Sequence, residues 1–135
     1  MPNDILYPDY NNSILNITMS ILKNYNLPTD YNSLNILDKT MDKKYKNIVL
    51  LILDGLGTSI LNKHSNGFLS QNKIADITSV CPSTTTSAMT TYYSAKPPSK
   101  TGWLAWSQYF KEYGRTIDLL GSKDSYTKEN FSRQD

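Results

Sequence analysis

Asn47-Ile48-Val49-Leu50-Leu51-Ile52-Leu53-Asp54-Gly55-Leu56-Gly57 is the stretch whose reading decides the fold. An unbroken apolar run from Ile48 to Leu53 ends in one carboxylate and two glycines. A run of this length, rich in Ile, Val and Leu, reads as a strand buried on both faces, as in a parallel sheet covered by helices. Residues 47–53 are therefore expected to form a central strand. Asp54 would then sit just past its carboxyl end, where open α/β sheets hold their ligands.

Outward from this run, the pattern alternates between helix and strand signals. Upstream, Asn11, Asn12 or Ser13 can cap a helix whose stripe is Ile14, Ile17 and Ile21, beside Leu15, Met19 and Leu22. Pro28 stops it. Residues 29–39 allow a second short helix capped by Thr29 or Asp30, and residues 42–46 form a polar link. Downstream, residues 58–63 begin a helix that Ser65-Asn66-Gly67 breaks. Ile74–Val80 is a second strand candidate, Thr86–Tyr93 a further helix, and Arg115–Leu120 a third strand. The tail from Gly121 is polar and offers no closing core element. This order predicts an α/β class with a mostly parallel sheet. Residues 1–46 read as an amino-terminal helical segment and 47–135 as part of a larger domain.

The composition narrows the classes. The chain has 135 residues, the size of one domain, with 39% apolar and 19% charged residues. A formal charge of +2 without a basic cluster argues against nucleic-acid binding. Cys81 is the only cysteine, so an intrachain disulfide is excluded; a lone buried thiol suits a reducing compartment. The start lacks the regions of a signal peptide, and the longest apolar run is far too short to span a bilayer. A soluble cytoplasmic protein, with no membrane partner, is the expectation.

Two stretches carry candidate chemistry. Asp54 with Gly55 is a common turn pair, and Asp also caps helices. A dinucleotide site fails because Ile60 stands where a third glycine is required, and a carboxylate would repel the pyrophosphate. A carboxylate fixed at a strand end also suits a divalent cation. The second stretch is Pro82-Ser83-Thr84-Thr85-Thr86. Three hydroxyls entering a helix serve as caps. They also place a hydroxyl beside the free N–H groups and positive dipole end that attract an anion.

The pattern of apolar strand, Asp-Gly-x-Gly and Pro-Ser-x-Thr resembles the alkaline phosphatase superfamily, closest to its type I phosphodiesterase and nucleotide pyrophosphatase branch. In that branch a metal-binding Asp ends the first strand, matched by Asp54, and a Pro-x-x-Thr segment supplies the nucleophile, matched by Thr85. A Thr-Gly pair, a Pro and a His-Gly pair follow; Ser94-Ala95, Pro98 and Thr101-Gly102 stand at the same spacing without a gap. Thr101 replaces the His.

The resemblance covers roughly residues 45–120. It implies an alkaline-phosphatase-like three-layer sandwich of which this chain is the amino-terminal part. It further implies a metal-dependent phosphoester hydrolase with two divalent ions, zinc or alternatively manganese. Thr85 would be nucleophile and metal ligand, Asp54 a metal ligand, and a phosphoester small molecule the substrate. The remaining Asp and His ligands of that site would lie later in a longer chain. The sole histidine, His64, matches none of them and reads as an exposed residue at a helix end. The chain alone is then expected to be inactive. Two alternatives stand beside this reading: a phosphate mutase of the same superfamily, and a non-catalytic binding or structural protein that keeps the scaffold.

Overall fold

The computed structural model describes residues 6–131. It contains helices and a small sheet, so the chain is α/β in the coarse sense. The fold divides into two compact units, Asp9–Thr78 and a second made of Ser79–Asp135 with Met1–Pro8.

The first unit is built on α1, Ile14–Asn24, which forms where the apolar stripe predicts it. Ile14, Leu15 and Met19 are buried on its inner face, together with Leu34. Its amino terminus is organised by Asn16, which is fully buried. The Asn16 side-chain oxygen accepts from the Ser13 N–H (2.8 Å) and hydroxyl (2.7 Å), and its amide donates to the Tyr10 and Asn32 carbonyls (2.8 Å each). At the other end Asn26 adopts φ 57°, the Leu27 N–H reaches the Leu22 carbonyl, and the Asn26 N–H reaches that of Lys23. This left-handed closure ends the helix before Pro28 is reached. The following polar link docks there. Lys44 donates to the Lys23 carbonyl (3.1 Å), where its charge complements the helix dipole, and Asn24 and Tyr45 exchange two hydrogen bonds.

Helix α2, Asn35–Thr40, starts later than Thr29 or Asp30 would place it and has Leu34 at its cap. Leu34 is held by its own burial and by the Ser20 hydroxyl, which accepts its N–H at 2.9 Å. Tertiary anchoring thus overrides the local capping signal.

The run 47–53 departs most from expectation. Its residues form neither helix nor strand, and Val49 and Leu51 are 90% and 74% exposed. Among the described residues, none offers this run a backbone ladder. A strand is a property of a pair, and apolar content alone cannot make one. The same holds for Ile74–Val80, which contributes a single parallel bridge between Thr78 and Ser13. Helix α3, Thr58–Leu61, continues into a 3-10 turn at Asn62–His64, and a further short helix, α4, Phe68–Gln71, follows the Ser65-Asn66-Gly67 break.

In the second unit, α5 spans Thr85–Ser94 and α6 spans Pro98–Thr101. A meander follows: β1 (Ser107–Phe110), β2 (Arg115–Asp118) and β3 (Lys123–Asp124), paired antiparallel in that order. The third-strand expectation at 115–120 is met by β2. The expected parallel arrangement is not that of this sheet, because hairpins close locally whereas parallel pairs need long crossovers. The polar tail does contribute β3. The Asp124 carboxylate, in a buried residue, accepts the Tyr126 and Thr127 N–H groups (2.9 and 3.0 Å), a turn that fixes the strand end. Cys81, expected in the core, is exposed.

Asp118 ties the meander together. Its carboxylate accepts from the Ser125 and Ser107 hydroxyls and from Lys128 (3.0 Å), which hold its pKa at about 2. Because the folded value is depressed, the contribution is present above the unfolded value, 3.8, and is lost as pH falls through the folded value. The thermal midpoint of the native chain should therefore drop between about pH 4 and pH 2 more steeply than that of Asp118→Asn, as read by circular dichroism melts across that range.

Candidate functional site

Thr84 and Thr85 divide the work at the start of α5. Thr84 is the N-cap: its Oγ1 accepts the Ser87 N–H at 3.2 Å and lies 2.9 Å from the Ser87 hydroxyl. The Ser87 hydroxyl in turn donates to the Trp103 carbonyl at 2.7 Å. This leaves Thr85, the first helical residue, half-buried and with no hydrogen bond from its hydroxyl among the described residues. The N–H groups of Thr85 and Thr86 belong to the first turn, so the helix itself supplies them no acceptor. A hydroxyl and two N–H donors thus belong to the first turn, at the positive end of a 10-residue helix. Thr86 is fully buried, and its Oγ1 has no hydrogen-bond partner among the described residues. The capping reading of the hydroxyl run therefore accounts for Thr84, while Thr85 stays uncommitted. The peptide bond between Cys81 and Pro82 just upstream is cis.

Asp54 belongs to the other unit, and the turn reading describes its backbone. Leu53 to Leu56 is closed by a hydrogen bond from the Leu56 N–H to the Leu53 carbonyl (3.3 Å), with Gly55 at φ 75°. Only a residue without Cβ takes that angle readily at the third turn position. The Asp54 side chain is exposed and has no hydrogen bond or ion pair among the described residues. It caps neither the turn nor α3, whose N-cap is Gly57.

His64 is exposed at the end of the 3-10 turn. Among the described residues no group of three or more His, Cys, Asp or Glu side chains gathers as a metal site. Asp54 in the first unit and Thr85 in the second each carry an oxygen donor without a hydrogen-bond partner among the described residues, the donor type that divalent cations take. Tyr92 lies on the same helix, and burial raises its pKa. Among the described residues, no helix is long and apolar enough to cross a membrane.

Sequence reasoning missed Asn16. The one available signal was a Ser13-x-x-Asn16 spacing at the helix start, a capping-box pattern with Asn in the Glu/Gln position. No family model, curated protein or solved structure matches the chain.

Proposed function

We propose that the chain is the amino-terminal part of a metal-dependent phosphoester hydrolase of the phosphodiesterase type, with Thr85 as nucleophile and Asp54 and Thr85 as metal ligands. The observation that carries the reading is the uncommitted Thr85 hydroxyl at the first position of α5, with Thr84 doing the capping. In the reaction, Thr85 Oγ1 attacks phosphorus, a Thr–O–P bond forms, and the ester oxygen departs with a proton as the alcohol. Water then attacks the phosphorus of the threonine-bound diester, releases the phosphomonoester and returns the Thr85 hydroxyl. The Thr85 and Thr86 N–H groups donate to the phosphoryl oxygens as negative charge builds on them. Two divalent ions, zinc or manganese, would supply Lewis acidity when bound at a complete site.

Two backbone angles support the register of the resemblance. Ala95, at the position of the branch's first Gly, closes α5 at φ 56°, and Gly102, at the second, closes α6 at φ 72°. Both are conformations that favour glycine, and an alanine at the first is a strained substitute.

The proposal extends to architecture. Residues 1–46 would be a helical segment and 47–135 the beginning of a three-layer sandwich. Run 47–53 would become a parallel strand once later chain pairs with it. The exposed Val49 and Leu51 are what such a strand would bury. A mutase shares the nucleophile and the first half-reaction, and differs in where the phosphoryl group goes.

The test is to quench a longer parent protein during turnover of a chromogenic phosphodiester and map phosphorylation by mass spectrometry. A phosphoryl group that still bears the substrate's second ester substituent is expected on the peptide carrying Thr85. The 135-residue chain, assayed with added zinc or manganese, is expected to give no turnover. Turnover by the short chain that vanishes in Thr85→Ala would refute the need for later ligands, and a parent labelled elsewhere would refute the nucleophile.

A further inference from the structure

The second unit contains a cavity of about 280 Å³ that the phosphoester reading does not use. Trp103, Phe110, Tyr113 and Phe131 line it. The Phe110 and Tyr113 rings are 6.5 Å apart at 58°, and Tyr113 and Phe131 meet edge-on at 5.1 Å and 75°. Both pairs are inclined as packed aromatic neighbours are, and all four aromatic side chains border the one space. Ile117 and Leu119 also line it and are 3% and 4% exposed, so the meander fixes this part of the wall. Among the described residues, the lining carries one carboxylate, that of the exposed Glu112, and neither lysine nor arginine. Among the described residues Glu112 makes no hydrogen bond or ion pair.

We infer that this cavity binds a small quaternary or trialkyl ammonium group. Aromatic faces attract a cation through their quadrupole, and methylated ammonium groups prefer such a site because they shed water cheaply. Glu112 supplies the opposite charge at the wall. An anion would meet Glu112 with no lysine or arginine among the described lining residues to offset it, and a neutral apolar ligand would leave that carboxylate unused. Charge complementarity and ring chemistry within one unit favour the cation, whatever the role of Thr85.

The experiment uses the 135-residue chain carrying Trp106→Phe, which leaves Trp103 as the single tryptophan reporter. Trp106 is 60% exposed, so the change costs little packing. Tetramethylammonium and choline are titrated against Trp103 fluorescence, with 3,3-dimethyl-1-butanol as the neutral isostere of choline. Saturable quenching by both cations is expected. The neutral isostere should bind about 5-fold weaker or worse, the order of one cation–aromatic contact. Glu112→Gln, an exposed and isosteric change, should weaken choline binding several-fold while the far-ultraviolet circular dichroism is unchanged. Equal affinity for choline and the isostere would overturn the inference, as would absence of saturation or an unaltered response in Glu112→Gln.

Discussion

Thr85→Ala in the longer parent protein is expected to lower phosphodiester turnover by on the order of 10³-fold or more, because a removed nucleophile leaves only binding and electrostatic assistance. The same substitution should hardly move the thermal midpoint. Thr85 is only half-buried, and its hydroxyl forms no hydrogen bond among the described residues. The capping bond belongs to Thr84, so Thr84→Ala has the opposite signature. It should cost roughly 1 kcal/mol of stability through the lost cap while leaving much of the turnover in place. Thr85→Ser, which keeps the hydroxyl, should retain measurable activity. Chromogenic phosphodiester assays with parallel thermal melts separate these outcomes. Wild-type turnover in Thr85→Ala would exclude Thr85 as the nucleophile.

The contrast between Thr84 and Thr85 illustrates which features were legible before the structure. The helices α1 and α5 were, because their signals are local: an apolar stripe with a polar cap for one, a hydroxyl-rich first turn after Pro82 for the other. The Asp54-Gly55 turn was legible for the same reason, since a positive φ at Gly55 is a demand on one residue. The run 47–53 carried the strongest composition signal, yet it forms no ladder among the described residues. Hydrophobic composition states what a segment would bury; it does not supply the neighbouring strand against which to bury it. Strand β3 was illegible for the converse reason. Lys123–Asp124 looks like polar tail, and its place is set by the Asp124 turn and by pairing with Ile117 and Asp118. Among the candidate residues, the types at positions 54 and 85 could be read from the sequence. That Thr84 would take the capping bond and leave Thr85 unoccupied could not, because either hydroxyl has the chemistry to cap.

Asn16→Ala is expected to be the most destabilising single change in the Asp9–Thr78 unit. Asn16 is fully buried and makes four hydrogen bonds from one side chain, two accepted from Ser13 and two donated to the Tyr10 and Asn32 carbonyls. Truncation leaves up to four polar groups without partners. Each buried one costs about 1–3 kcal/mol, so a loss of about 3 kcal/mol or more follows even if water reaches some of them. The contacts joined in this way are sequence-distant: Asn32 leads to Leu34, whose N–H bonds the Ser20 hydroxyl and also approaches the Asn16 carbonyl at 3.2 Å. The start of α1 and the segment before α2 should therefore loosen together, in one cooperative step of a denaturant melt. Asn16→Asp separates the two halves of the role. The carboxylate keeps the acceptors for Ser13 but faces two carbonyls it cannot satisfy while ionised. Its pKa should rise, since the neutral form can still donate once. A raised carboxyl pKa means that the variant loses stability as pH increases through the unfolded value near 4, whereas the native chain has no such titration at this position. A urea midpoint for Asn16→Ala within experimental error of wild type would show that the four bonds are dispensable and that α1 is held by Leu15 and Met19 alone.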